Sequence, residues 1–274
     1  MQALISLQEF GLNLLRPCGV DLFCVGKKFL VFNLVSRNLK AKYHRSVLGL
    51  FWTLLNPLAT TLIFYFVFKM VLNVKVPHYL AFIISGMLPW SFFSQTIMEG
   101  MESIVGNHGL ISKVPIQIQI FPFVGTVTNF ITLVLALPIV IGTAILTDVN
   151  LGSSILLFPL YLSLLFLFTY CSATILAVLY VLLRDLRHVL GIVLQLWFYA
   201  TPILYHESMI PKQYHWILYL NPIAFLFVDI HAILVQGTYP DLHHLPVTCA
   251  WVLLAICLTL LIHRFIGEDL VEQI

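Results

Sequence analysis

Apolar positions run through this chain in long blocks, near 50–68, 79–98, 117–146 and 154–183, with shorter ones near 189–204, 217–235 and 245–262. A bilayer's hydrocarbon core is about 30 Å thick, so a spanning helix needs about 20 apolar residues. Inside lipid each backbone N–H and C=O must find an internal partner, so such blocks become helices. The pattern predicts an all-α polytopic membrane protein with about six transmembrane helices. The 189–204 block is short, and Pro202 lies near its end. The 217–235 block contains Asn221, Pro222, Asp229 and His231. An Asp facing lipid at mid-membrane costs about 3 kcal/mol. Residues 206–240 are therefore expected to form a re-entrant or interfacial helical hairpin on the outer side. The alternative makes 217–235 a seventh span and moves the C-terminus outside.

Ahead of the first block the pattern changes. In residues 27–46, Phe32, Val35, Leu39 and Tyr43 share one helical face, while Arg37, His44 and Arg45 lie broadly opposite, with Lys40 and Lys42 on the flanks. This spacing predicts an amphipathic helix in the inner interface, its lysines snorkelling to the headgroups. The chain is thus expected to divide into a cytoplasmic N-terminal segment, 1–49, and a transmembrane domain, 50–274.

Composition agrees: 60% of the residues are hydrophobic and 9% charged, against about 25% charged in soluble domains. So few charges cannot coat a soluble surface. With the N-terminus inside, eleven Lys and Arg fall on inner segments and only Lys69, Lys75 and Lys212 outside. That asymmetry predicts both termini in the cytoplasm. No cleavable signal is expected, since residues 1–26 carry Glu9, Arg16 and Asp21 and no continuous apolar core. The five cysteines form no C-x-x-C pair and predict neither a disulfide framework nor a metal site.

Missing motifs narrow the function. The chain has no G-x-x-x-x-G-K-[ST] phosphate loop, no H-E-x-x-H and no G-x-S-x-G. ATP hydrolysis and proteolysis are thus not expected of it. Few ionisable residues fall inside the blocks, which argues against proton- or sodium-coupled transport. Aromatic residues crowd the blocks, among them Trp90, Phe92, Phe93, Trp197, Phe198 and Tyr199. Most serve packing or the interfacial belts; some could offer ring faces on which sugars stack.

Several stretches then fall into an ordered set. Lys40-Ala-Lys-Tyr43-His-Arg45-Ser-Val-Leu-Gly-Leu-Phe-Trp52 with Asn56-Pro57 resembles the entry segment of ABC-type polysaccharide exporter permeases, the membrane subunits for O-antigen, capsule and teichoic-acid export. Tyr79 to Phe93, with Gly86, Pro89 and Trp90, is similar to their second span. Asn107, Leu110, Ile111, Lys113 and Val114 match the loop that follows. Arg184-Asp185-Leu-Arg187-His188, then Tyr199-Ala-Thr-Pro202-Ile-Leu-Tyr205, matches the fifth-span region. Ile210-Pro211, Asn221-Pro222 and Val271-Glu272 complete the series. The chain departs from the family pattern after Lys113, where Val-Pro115-Ile-Gln117 lacks the usual basic residue.

The resemblance implies a homodimer of six-span subunits in the bacterial cytoplasmic membrane, joined to two cytoplasmic ATPase subunits that bind the ATP and Mg. This chain itself would carry no cofactor and bind no nucleic acid. The cargo implied is a lipid-linked glycan. Asn107, Leu110, Ile111 and Lys113 become the expected ATPase-coupling loop. Arg37, Lys40, Tyr43 and Arg45 become a basic face for the lipid pyrophosphate. Trp90, Phe93, Tyr199, Pro202, Tyr205, Asn221 and Pro222 become candidates for the channel or its outer gate, and Arg184, Asp185 and Arg187 for a cytoplasmic turn. A drug or lipid exporter subunit, or a non-transporting membrane scaffold, would share much of this pattern.

Overall fold

A computed structural model describes residues 27–43, 50–113, 117–149 and 151–266. All regular structure among them is helical. The helices are α1 (Lys28–Tyr43), α2 (Leu50–Tyr65, extended by a wide turn over Phe66–Val71), α3 (Tyr79–Gly106), α4 (His108–Ile111), α5 (Ile120–Leu146), α6 (Phe158–Leu182), α7 (Leu186–Ala200), α8 (Trp216–Leu220), α9 (Ala224–His231, extended over Ala232–Gln236) and α10 (His244–Ile266).

Four helical segments are long and apolar enough to cross a membrane: Tyr79–Gly106, Ile120–Leu146, Ser153–Leu182 and His244–Ile262. The expected count of six needs more than these. Two shorter apolar helices would have to be added to reach it: α2 with its extension, and α7, whose 15 residues reach only about 22 Å before Thr201 and Pro202 end it. Where a hairpin is expected, two limbs, Lys212–Leu220 and Ala224–Gln236, meet at a bend of 109° at Asn221–Pro222, a geometry common to a broken span and a re-entrant loop. The second limb is no surface helix. Every residue from Ala224 to His231 is buried, as a nearly unbroken apolar sequence requires.

The centre of the bundle is α3. Of its apolar window 78% is buried, against 28% for α5 and 22% for α10, whose outer faces are left to lipid or to a partner. It packs along α5 and α6, with α2, α7 and α9 around it. Small residues allow this closeness: a Cβ added at Gly100 would sit 2.7 Å from the Cβ of Ala173 on α6. The core is aromatic as well as aliphatic. Phe93 stacks on Phe168 and meets Trp197 edge-on, and Trp90 lies against Phe93, Phe198 and Phe227. Hydroxyls inside the spans mostly bond within their own helix. Thr126, Thr128, Thr169 and Thr174 each donate to the carbonyl four residues earlier, the usual way such residues are satisfied in lipid.

Two contacts fix which ends lie together. Arg187, at the start of α7, pairs with Glu102 near the end of α3. At the other extreme the Tyr79 hydroxyl donates to the Leu204 carbonyl, 2.7 Å away and buried. Lys113, Arg184 and Arg187 therefore gather at one end, and Lys75 and Lys212 at the other.

Candidate functional site

At the basic end, α1 leans on α5 through Leu34 and Val35 against Ile120 and Val124. It is then tied to α3. The Lys42 ammonium lies 2.9 Å from both Glu99 carboxylate oxygens and 2.7 Å from the Asn129 Oδ1 of α5. Gln95 and Asn129 also donate to Glu99, at 2.9 and 3.0 Å. Arg37 donates to the Asn107 Oδ1 at 3.3 Å. Arg187 reaches Glu102 at 2.9 Å. Three cations from α1 and α7 thus converge on the last third of α3 and on Asn107 just beyond its end. A charge-assisted bond is stronger than a neutral one. These side chains are nevertheless partly open to solvent, so each pair contributes at most about 1 kcal/mol.

Of the expected coupling residues, Asn107 stands between α3 and α4, its side-chain amide also donating to the Ser103 carbonyl. Leu110 and Ile111 face inward, against Ile104, Phe121 and Val178. His108, Gly109, Ser112 and Lys113 form the exposed edge. Of the expected basic face, Arg37 and Lys40 are exposed, Tyr43 is the last residue of α1, and Arg45 lies outside the described residues, as do Val114, Pro115, Val271 and Glu272. Arg184, Asp185 and Arg187 form an exposed turn, with the Arg184 guanidinium 5.4 Å from the Tyr180 ring centroid.

The residues expected to line a channel or gate divide. Trp90 and Phe93 are buried in the core of the bundle. Pro202 is buried and its carbonyl meets the His231 Nε2 at 3.2 Å. Asn221 acts as a clip. Its Oδ1 accepts from the Trp197 indole at 2.8 Å and from the Ile223 backbone, and its amide donates to the Ala200 carbonyl and the Thr201 hydroxyl. Pro222, half-buried, forms the bend beside it. Tyr199 alone is mostly exposed, at 53%, and its carbonyl accepts from the Tyr205 hydroxyl at 3.1 Å. Burial raises the Tyr205 phenol above its ordinary pKa.

Sequence reasoning missed a crevice. Trp52, Asn56, Pro57 and Thr60 on α2 face Met87, Ser91, Ser94, Gln95 and Met98 on α3 across an open space of about 520 Å³. Behind it Gln95, Asn129 and Thr132 line a smaller gap of about 30 Å³, so the polar seam runs on to Glu99 and Lys42. The missed signal was a polar face at helical spacing: Asn56 with Thr60, and Ser91 with Gln95, are each one turn apart.

A bundle of apolar helices around α3, with a polar flank and charges gathered at one end, defines a multi-pass membrane protein. The family described as ABC-2 type transporter matches residues 30–235, and the chain belongs to that family. It is 35% identical to the O-antigen export system permease protein RfbA of Myxococcus xanthus over 214 residues, which cover 77% of this chain and 82% of that protein. It is 29% identical to the protein of the same name from Klebsiella pneumoniae over 210 residues, covering 76% and 81%.

Proposed function

We propose that this chain is the membrane-spanning half of an exporter that carries a lipid-linked polysaccharide of the O-antigen or capsule type across the bacterial cytoplasmic membrane. The observation that carries the reading is the crevice between α2 and α3. Amides and hydroxyls of Asn56, Thr60, Ser91, Ser94 and Gln95 line it on the flank of the bundle, within the lengths of two apolar helices. Polar groups at that depth are costly against lipid, so they face protein or a water-filled path. Hydroxyls and amides suit a glycan, because they exchange hydrogen bonds with sugar hydroxyls without holding any one of them tightly. The names borne by the relatives from Myxococcus and Klebsiella support the same cargo.

In this reading a second copy of the chain closes the path from the other side, giving a homodimer of six-span subunits with both termini in the cytoplasm. The length of the apolar blocks and the gathering of Lys and Arg at one end support it. Family membership implies an ATPase partner, which would bind the ATP and Mg. Its docking surface would be the exposed edge of α4, His108, Gly109, Ser112 and Lys113, with α1 beside it through the Arg37–Asn107 bond. Arg37 would draw the anionic pyrophosphate of the donor lipid toward the path. The hairpin around Asn221 and Pro222 would close the far mouth, with Tyr199 and Tyr205 at its rim.

Deleting the gene and locating the glycan tests the reading. Loss of surface polysaccharide, with lipid-linked polymer held on the cytoplasmic side and restored by the intact chain, is the expected result. Normal surface polysaccharide in the deletion strain would overturn it.

A further inference from the structure

On the side of α1 away from Arg37, a groove of about 600 Å³ opens between α1 and α5. Its geometry follows from helical spacing. Lys28, Phe32, Ser36 and Lys40 stand one turn apart and make one rim. Val31, Val35 and Leu39, again one turn apart, make the floor. Phe123, Val127 and Ile131, one turn apart on α5, make the far wall. The two lysines are twelve residues apart, so the rim is about 18 Å long. The volume lies within the range of about 300–1,000 Å³ usual for small-molecule sites. Except for Ser36 between the two rim lysines, the lining is apolar, and it includes no acidic residue.

Two further observations bear on what fills it. Phe29 and Phe32 are 80% and 70% exposed beside the groove, more aromatic surface than a helix in water would offer. Aromatic and lysine side chains side by side are the usual anchors of the membrane–water interface. A cationic rim over an apolar trough matches an amphiphile with a negative head and a hydrocarbon tail, and it matches poorly a peptide helix, which would bring backbone dipoles and no compensating negative charge.

We propose that this groove holds one acyl chain of an anionic glycerophospholipid of the surrounding membrane, with the lipid's phosphate on the Lys28 or Lys40 ammonium at one end of the rim. Because the lysines stand so far apart, one phosphate reaches one of them. The bound lipid fills the space between α1 and α5 that their side chains leave, and so holds α1 at the angle at which Lys42 meets Glu99. The site lies on the opposite flank of α1 from Asn107 and does not depend on which cargo the protein carries.

Native mass spectrometry of the full-length chain, released from nanodiscs containing equal phosphatidylglycerol and phosphatidylcholine, tests this. The wild type should keep one phospholipid per chain through delipidation, with phosphatidylglycerol favoured. Val127→Trp fills the groove from the α5 wall and Val31→Trp from the floor; each should lower the retained lipid at least about tenfold. The double variant Lys28→Gln/Lys40→Gln should still hold a lipid, but with its preference for phosphatidylglycerol reduced about fivefold, the effect of one lysine near an anionic headgroup. Because the tryptophans enter from opposite sides, misfolding of one leaves the other to decide. Undiminished lipid in both folded tryptophan variants would overturn the proposal, as would a wild type that keeps the two lipids equally. Retention of a polyprenyl-linked lipid in place of phospholipid would also overturn it.

Discussion

The two ends of this bundle are held together by different chemistry. At the basic end, α1, α3 and α7 meet through charges that stay partly in contact with water: Lys42 with Glu99, Arg187 with Glu102, Arg37 with Asn107. At the opposite end most of the bonds are neutral and buried; the exception is the buried Asp229 carboxylate, 2.7 Å from the His244 imidazole. Tyr79 bonds Leu204, Ser85 bonds His231 at 3.0 Å, His231 bonds Pro202, and Asn221 gathers Trp197, Ala200, Thr201 and Ile223. A buried group that loses its partner costs more than a hydrated charge that loses one. The opposite end is therefore built to keep one arrangement. The basic end can exchange partners at small cost, which suits the ATPase docking proposed for it.

The contrast breaks if the costs come out in another order. Asn221→Ala should have the largest effect. It strands the Trp197 indole and opens the clip at the bend, for a loss of about 3 kcal/mol, read as a lowered thermal midpoint of the protein in detergent. Gly152→Val should follow. A Cβ there would lie 2.6 Å from the carbonyl oxygen of Gly237, itself a turn residue at φ 64°. The backbone must shift, at about 2 kcal/mol, by the same measurement.

The basic end should respond less. Lys42→Met leaves Glu99 with its Gln95 and Asn129 donors and some water, so about 1 kcal/mol is expected. Export should fall more than stability does, because α1 loses its tie to α3; surface glycan per folded protein measures this. Arg187→Gln should be smallest, at about 0.5 kcal/mol, and the difference from wild type should vanish as salt rises, since both partners are exposed. A Lys42→Met loss matching that of Asn221→Ala would erase the distinction between the ends.

The sequence made some of this legible and concealed the rest for physical reasons. Three of the four long apolar runs and the break at Asn221–Pro222 could be read, because length and proline act locally; the run at 50–68 gave a shorter helix, and the shorter run at 245–262 gave the fourth long one. That α9 is buried could be suspected only from its apolar run and from an Asp that lipid would not accept. Glu99, Lys42 and Asn129 form one cluster although 57 and 30 residues separate them from Glu99; no local pattern carries that pairing. Leu110 illustrates another limit. It belongs to the matching loop, yet its side chain packs toward the bundle, while its neighbours His108 and Lys113 remain outside. Aromatic richness does not separate a ring that lines a path from one in the core. Trp90 and Phe93 belong to the core, and only the packed structure assigns them there.

The central claim is that the polar crevice between α2 and α3 faces a water-filled path used by the cargo. Cysteine substitution there tests it most directly, in a background with the native cysteines removed. Asn56→Cys, Thr60→Cys and Ser91→Cys should react with a hydrophilic maleimide in membranes. Leu135→Cys and Ile145→Cys, on the exposed apolar face of α5, should not. Labelling at Ser91→Cys should also stop export of surface polysaccharide in proportion to the fraction modified. If the crevice cysteines prove as unreactive as those on α5, or if fully labelled protein exports normally, the crevice is not the path.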